Sequence, residues 1–193
     1  MARHLAFTCG LAMALAAHGA SLGAKAGAAW TVNAGEVVVV CPLTVGGSFE
    51  ATTRSLSGQL TVDAADPSRL SGEITVDLKT LDSGISLRNQ HMRDNYLEVG
   101  KGDGFDRAVL SEITLKGDAA TATGAMAFSG TLLVHGTRKP VSGEARVRRA
   151  GTDVQVEATF PLNLPDFGIQ KPRYLGVGVK DQVQVKVKFG SAR

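Results

Sequence analysis

The residues of this chain that could do chemistry are few and far apart. Beyond residue 28 the histidines are His91 and His135, and the cysteine is Cys41. A metal site on two histidines needs further ligands, and no acidic pair stands beside either histidine at metal-like spacing. Cys41 continues the apolar run 37–40 and is typical of a small buried residue, with a reactive thiol or an intermolecular disulfide as the alternative. The sequence therefore predicts no metal site.

Motifs of known catalytic sites are also missing. The sequence contains no G-x-S-x-G, no H-E-x-x-H and no Gly-rich loop between a strand and a helix. The segment 103–106, D-G-F-D, lacks the oxygen ligands of an EF-hand and is predicted to form a turn. We therefore expect no catalytic residue, no cofactor and no enzymatic activity, and an enzyme acting on a lipid or quinone is the weakest hypothesis.

Ligand binding by basic and apolar side chains is better supported than catalysis. A guanidinium can hold a phosphate or carboxylate head group, although surface solvation is the simpler role for each arginine. His135 is a further head-group candidate, and its alternative role is that of a turn residue whose imidazole bonds the backbone next to Gly136. Besides His135, the head-group candidates are Arg138 and Arg173, with Arg88 and Arg93 as further basic residues.

Apolar residues that could line a ligand tunnel come from two sources. Those in strand-like segments could equally fill the core of a small barrel. Those in the irregular segments are better placed at a mouth, and Tyr174 joins an apolar ring to a polar tip that suits a head region. The predicted tunnel residues are Phe49, Ile85, Met92, Phe105, Phe128, Phe160, Phe167 and Tyr174.

Strands must position these residues. In segment 152–164 the apolar residues at 154, 156, 158, 160, 162 and 164 alternate with mostly polar ones, which predicts a strand with one dry face. At about 3.3 Å per residue this strand would span roughly 40 Å. Because the chain offers few helices to cover such a face, the sheet is expected to fold round on itself.

Seven further segments follow the same pattern and are separated by turn residues. All eight strands and their short connections favour an all-β, up-and-down antiparallel barrel. One helix is predicted over 82–99, with Asp82 or Ser83 as its cap, and 165–181 is predicted to be a long loop or lid. The predicted strands are 36–45, 56–63, 70–78, 109–116, 123–135, 141–149, 153–164 and 182–189.

Residues 1–28 read as a secretory signal peptide. Arg3 precedes an apolar segment, and A-x-A cleavage signals end near Ala28. Cleavage would reduce Lys and Arg from 21 to 19 against 18 Asp and Glu, which leaves a net charge of +1. We therefore expect one mature domain over 29–193, periplasmic or secreted, with no nucleic-acid partner and no stable membrane insertion.

Four motifs resemble those of the YceI-like proteins. Residues 128–141, F-S-G-T-L-L-V-H-G-T-R-K-P-V, are similar to the family's G-x-L-T-L-H-G-V-T-R-P-V, and 166–169 match its D-F-G-I element. Residues 81–93 look like its I-D-T-G…R-D-x-H-L-R segment, and 179–183 begin a strand like its final one. The early segment V-V-V-V-C-P-L-T-V departs from the family's F-x-V-x-H, so the chain resembles a divergent member.

This resemblance implies a lipocalin-like eight-stranded barrel with one short helix covering it. It also implies a polyisoprenoid or similar long-chain amphiphile in the interior, in a protein that is commonly dimeric. The chain would then be an exported carrier or scavenger. The alternative is a structural or interaction module whose barrel is filled by side chains and holds no ligand, with exposed residues such as Leu175 and Val177 forming a partner surface.

Overall fold

The computed structural model describes residues 29–151, 153–171, 173–174 and 177–192, with backbone alone for Asn33, Arg173, Tyr174 and Ala192. Within these residues the chain is mostly strand. The long strands are β1 (Ala29–Pro42), β2 (Ser48–Thr53), β3 (Leu56–Val62), β4 (Arg69–Asp77), β5 (Arg107–Leu115), β6 (Gly124–Val134), β7 (Thr137–Ala150), β8 (Asp153–Asn163) and β11 (Gln182–Ala192). The short strands β9 (Arg173–Tyr174) and β10 (Val177–Gly178) form a separate small hairpin.

The long strands close into an antiparallel barrel. Their order is β11-β8-β7-β6-β5-β4-β3-β1-β2, and β11 also pairs with β1, which joins the two edges. β2 and β3 both pair with β1 in one continuous register, β2 along its second half and β3 along its beginning. They therefore act as one bent strand, and the barrel has eight strands in all. Closure removes the unpaired edges that an open sheet would present.

Short helices lie in two of the connections. Between β4 and β5 the chain forms α1 (Ser86–His91), which continues as a π-helical turn (Met92–Tyr96), flanked by 3-10 turns at Leu78–Thr80 and Val99–Lys101. A further 3-10 turn, Leu164–Phe167, follows β8. No helix within the described ranges is long and apolar enough to cross a bilayer.

The predicted fold class is confirmed, with differences in its elements. All eight predicted strands are present, and side chains alternate as expected along β8, where Val154, Val156, Phe160 and Leu162 are buried. The bent strand has an additional part, β2, which the sequence analysis did not predict. β1 also begins at Ala29, seven residues before the predicted start at 36.

The predicted loop over 136–140 is wrong. Val134 pairs with Thr137, so His135 and Gly136 form a two-residue turn and β7 begins at once. Both turn residues have positive φ, 51° and 70°, as such hairpins require. Pro140 lies inside β7, where the strand pairs with β6 but not yet with β8, so the absent N–H of Pro140 costs no hydrogen bond on that side.

The helix is shorter than the predicted 82–99, and its predicted cap is wrong. α1 begins at Ser86, and the residue before it makes no capping hydrogen bond through its side chain. Asp82 pairs with Thr52 of β2 through two backbone hydrogen bonds of 2.8 Å, which hold it in an extended conformation. The side chains of Asp82 and Ser83 bond Asn89 in the helix instead of its first amides.

The two ends of the barrel differ. One end carries the helix and the connections 43–47, 78–106 and 135–136, together with the described residues of the connection 164–181. At the other end, Arg149 donates to the carbonyls of Ala119 (2.7 Å) and Ala122 (3.0 Å) and lies 5.5 Å from the centre of the Trp30 ring. We call the first the helix end and the second the floor.

Candidate ligand cavity

The barrel encloses a cavity of about 1020 Å³. Its wall is made by inward-facing aliphatic and aromatic side chains from all the long strands. On β8 the lining runs from Val156 to Leu162, about 20 Å of strand at 3.3 Å per residue. The cavity is at the upper limit of the 300–1,000 Å³ typical of sites for small molecules.

Small side chains in the middle of the wall leave this space. Ala145 on β7 pairs directly with Ala158 on β8, and both line the cavity. Ala51 on β2 and Ala108 on β5 also line it. At such positions a Leu or Phe would reach across the interior, so the alanines keep the barrel from being filled by its own side chains.

The cavity opens at the helix end. Among its lining residues, Ile85, Leu87 and Val177 are large apolar side chains that are also exposed to solvent, by 50%, 62% and 37%. Val45, 68% exposed, projects from the β1–β2 turn at the same end. The mouth is therefore rimmed by apolar side chains. Trp30, which is 4% exposed, lines the cavity at the floor.

An aromatic pair forms part of the inner wall. Phe128 and Phe160 both line the cavity, with ring centroids 5.9 Å apart and an interplanar angle of 85°. Gly143 of β7 lies beside both rings, since a Cβ atom there would be 3.0 Å from Phe128 Cε1 and 2.7 Å from Phe160 Cβ. The edge-to-face packing of the two rings thus depends on a residue without a side chain.

Of the other predicted tunnel residues, Phe49, Ile85 and Met92 also line the cavity. Phe105 and Phe167 do not line it. Phe105 packs edge-on against His135, with ring centroids 4.8 Å apart, and Phe167 is buried in the 3-10 turn that follows β8. The side chain of Tyr174 lies outside the described part of the chain. Which of these residues touch a ligand stays a prediction.

Two of the three predicted head-group residues lie outside the cavity lining. Arg138 is exposed on β7 and does not line the cavity. His135 lies at the hairpin turn, also outside the lining. The side chain of Arg173 is outside the described part of the chain.

His135 instead links three connections of the helix end. Its Nδ1 lies 3.0 Å from the carbonyl oxygen of Phe167, and its Nε2 lies 3.0 Å from a carboxylate oxygen of Glu98. Since a carbonyl only accepts, Nδ1–H must be the donor to Phe167. Both ring nitrogens face oxygen acceptors, and the imidazolium form can donate to both.

Glu98 supplies the carboxylate of this link. The Lys101 ammonium, 2.8 Å away, and secondarily His135 hold the pKa of Glu98 below its usual value. Glu98 also has a left-handed backbone, with φ of 51°, which is uncommon outside glycine.

The helix is tied to the barrel through Asn89, which is buried. Its amide nitrogen donates to Asp82 Oδ1 (2.6 Å), and its oxygen accepts from the backbone N–H and hydroxyl of Ser83 (both 2.7 Å). The Gly84 N–H and the Asn89 amide hold the pKa of Asp82 below its usual value. These bonds fix α1 over one side of the mouth.

Among the described residues that line the cavity, Arg88 carries a permanent charge. Its guanidinium carbon lies 4.3 Å from the centre of the Phe49 ring. Further along the same helix, His91, Asn95 and Tyr96 also line the mouth. The cavity is thus apolar throughout its depth and polar along one side of its opening.

Cys41 lines the wall and is a free thiol, buried as predicted. Burial raises its pKa to about 11, and the positive charge of Arg88 partly opposes this shift. Among the described residues, no three His, Cys, Asp or Glu side chains are grouped so that they could hold a metal ion.

Sequence reasoning missed three features of this site. Trp30 directly follows the predicted cleavage region, and no pattern there indicates that it lines a cavity floor. The alanines of the wall look unremarkable in sequence, although Ala145 and Ala158 both occupy inward positions of predicted strands. Arg88 is one of four arginines that the sequence offers for a ligand head group. Only the placement of α1 against β2 shows that Arg88 lines the cavity mouth.

Most of the chain is similar to a known family. The family model of the YceI-like domain matches residues 29–190. These residues include every strand of the barrel except the last two residues of β11.

Similar sequences include UPF0312 proteins of two Pseudomonas species. A UPF0312 protein of Pseudomonas putida (strain GB-1) is 33% identical over 138 residues, 66% of this chain and 68% of that protein. A UPF0312 protein of Pseudomonas paraeruginosa (strain DSM 24068 / PA7) is 30% identical over 58% of this chain. The match covers 59% of that second relative, so this chain spans less than two thirds of its length.

Solved structures share the fold. BcnA of Burkholderia cenocepacia superposes with a TM-score of 0.66 at 18% identity, over 81% of this chain and 95% of that one. A polyisoprenoid-binding domain from Saccharophagus degradans superposes with a TM-score of 0.64 at 19% identity, over 84% of this chain and 97% of that one. At such identities the similarity establishes the architecture alone.

Proposed function

Because this chain belongs to the YceI-like family, we propose that it is an exported lipid-binding protein. In this proposal it holds a polyisoprenoid or a similar long-chain amphiphile in the barrel interior and acts as a non-catalytic carrier or scavenger. The observation that carries the proposal is the cavity of about 1020 Å³, lined by aliphatic and aromatic side chains down to Trp30.

Two further points support a long-chain ligand. The Saccharophagus degradans domain with the same architecture is a polyisoprenoid-binding domain. The cavity also has one polar side and one end closed by Arg149 and Trp30, a shape that suits a chain entering tail first. A barrel filled by side chains, the alternative, would lack this volume.

Burial energies set a limit on selectivity. Each buried CH₂ contributes about 0.8 kcal/mol, whereas measured affinities level off near about 20 kcal/mol. A ligand of some tens of carbons would exceed that limit on gross burial. Apolar contact alone would therefore not select one chain length, and cavity depth and head-group contacts must do so.

Export is proposed from the first 28 residues, which have the composition of a signal peptide. The proposed location is the periplasm or the exterior. N-terminal sequencing of the protein recovered from a periplasmic extract tests this, and a mature N-terminus near Ala29 is expected. A homodimer, which the family resemblance implies, is tested by sizing chromatography coupled to light scattering.

Solvent extraction of the purified protein followed by mass spectrometry tests the proposed ligand. We expect a long-chain amphiphile at close to one molecule per barrel. Protein stripped of lipid by denaturation and refolding should take up an added long-chain prenol and gain thermal stability. A native protein without extractable lipid, whose refolded form binds no long-chain alcohol or acid, would contradict the proposal.

A further inference from the structure

Arg88 is a cation at an apolar opening without an anionic partner among the described residues. It lines the cavity mouth, is half-buried, and takes part in none of the ion pairs found in the described ranges. The described lining residues include no Asp and no Glu. A guanidinium stays charged at any physiological pH, and a charge near apolar surface is costly without a counter-ion.

Its orientation is nevertheless fixed. Phe49 lies under the guanidinium at 4.3 Å, a cation–π contact that holds the group over the rim of the cavity. Within the described residues, no hydrogen bond from the N–H groups of this guanidinium occurs. Five donors in a planar fork match a carboxylate or phosphate group.

Two other arginines, one in the connection 78–106 and one directly after it, are occupied. Arg93, on the same helical segment, donates Nη1 to the Lys79 carbonyl at 2.7 Å and Nε to the Asn89 carbonyl at 3.2 Å. Arg107 pairs with Asp103 at 3.0 Å and with Asp106 at 3.1 Å. These contacts position the connection 78–106, whereas the N–H donors of Arg88 meet no acceptor among the residues that the structure describes.

The surrounding charges leave an anion unopposed. Asp94 and Glu50 are exposed and do not line the cavity, and Glu98 is paired with Lys101 and His135. The positive charge of Arg88 also acts on the cavity wall. Burial raises the pKa of Cys41, and the charge of Arg88 opposes this rise. A ligand whose tail lies along the wall near Cys41 would bring its head to Arg88.

We infer that Arg88 binds the head group of the ligand and that this protein prefers amphiphiles with an anionic head, a carboxylate or a phosphate monoester, over neutral ones. The inference rests on the proposed function and specifies its ligand class. His91 and Asn95, also at the mouth, add polar contacts to the same head group.

Titration calorimetry with four ligands tests the inference on delipidated protein. Palmitate is compared with cetyl alcohol, and geranylgeranyl phosphate with geranylgeraniol, so that each pair differs in its head alone. We expect at least about tenfold tighter binding of one or both anions than of the matching alcohol, the ratio that one good charge-assisted contact gives. The pair with the larger ratio identifies carboxylate or phosphate as the head. The ratio should fall as salt is raised.

Arg88→Gln should remove this preference while leaving alcohol affinity within about twofold of wild type, because the tail contacts are unchanged. Arg88→Lys keeps the positive charge and should retain part of the preference for anionic ligands. Lys180→Gln is the matched control, since Lys180 is exposed in a connection at the same end and does not line the cavity; it should keep the full preference.

The outcomes distinguish a failure of the role of Arg88 from a failure of the proposed lipid-binding function. Equal binding of acid and alcohol by wild type, or a preference that survives in Arg88→Gln, overturns the role of Arg88 while the proposed function stands. Binding of none of the four ligands overturns the proposed function and this inference together. Should Arg88→Gln fail to fold, as thermal denaturation would show, the wild-type ratio and its salt dependence still decide the preference.

Discussion

Ala145 on β7 faces Ala158 on β8, and both methyl groups lie on the cavity wall. This pairing of two small residues at adjacent inward positions keeps the middle of the barrel open. Larger side chains at these two positions would fill the barrel, so the alanines leave the space that a ligand needs.

Ala145→Phe should therefore fill part of the cavity and exclude long-chain ligands. Because the ring enters empty space, we expect a stable fold, with at most about 1–3 kcal/mol of strain. Lipid recovered by solvent extraction should fall severalfold. Ala127→Phe is the control, since Ala127 is exposed on the outer face of the neighbouring strand, and it should retain wild-type lipid. Equal lipid content in both variants would count against a ligand in this cavity.

Asn89→Ala should release the helix from the barrel while the barrel stays folded. It removes three part-buried hydrogen bonds to Asp82 and Ser83, at a cost of about 1–3 kcal/mol for the three together. Hydrogen exchange should accelerate over 85–97 and stay slow in β6–β8. Gln90→Ala, at an exposed position of the same helix, should leave the exchange unchanged. Unaltered protection of 85–97 in Asn89→Ala would exclude this anchoring role.

Glu98→Gln should destabilise the protein at neutral pH and much less in acid. The pKa of Glu98 is lowered in the folded state, so its contribution is present above its unfolded pKa of about 4.3 and is lost as pH falls through the folded value. Urea denaturation of wild type and variant at several pH values between neutral and acid checks this. A difference in stability that stays constant with pH would contradict it.

Gly143→Ala should destabilise the barrel. A Cβ atom there would lie 2.2 Å from the Thr159 carbonyl oxygen and 2.7 Å from Phe160 Cβ, so the β7–β8 contact would have to shift. We expect a loss of about 1–3 kcal/mol in the free energy of unfolding. Gly190→Ala on β11 is the matched control, because nothing lies within 4 Å of its added Cβ, and it should be neutral or slightly stabilising.

Cys41 should react slowly with thiol reagents in the folded protein. With a pKa of about 11, about one thiol in a thousand is ionised at pH 8. Labelling by a maleimide should be slow in buffer and fast in denaturant. Arg88→Gln should slow it further, since Arg88 favours the thiolate, and fast labelling of folded wild type would refute the burial.

The barrel was predictable because burial of one face imposes a period of two on each strand. Val183, Val185 and Phe189 are buried and Lys186 and Lys188 exposed, as their alternation indicates. β2 was not predicted because it is short and follows Gly46-Gly47. The turn at His135-Gly136 is earlier and shorter than the sequence predicts, because Pro140 favours a loop, whereas one side of β7 is unpaired at Pro140 and tolerates it.

The site was less predictable than the fold because it depends on distant residues. Alternation identifies Ala145 and Ala158 as inward-facing, but only the register between β7 and β8 brings them together. Arg88 lies 39 positions from Phe49 along the chain, and the helix has to be placed before the two can be seen to stack. Phe105 and Phe167 are apolar residues of loops, as a lining would require, yet Phe105 packs against His135 and Phe167 is buried in the 3-10 turn that follows β8.

Trp30 is the chain's one tryptophan, and it lies at the floor, at the far end of the cavity from the mouth. The fluorescence emission of its indole can therefore report how far a bound chain extends toward the floor. An acyl chain that stops halfway leaves the spectrum unchanged, whereas one that reaches the floor displaces whatever surrounds the ring and shifts it. A homologous series of chain lengths, followed by nothing more than fluorescence, would then read out the length of tail that this barrel accommodates.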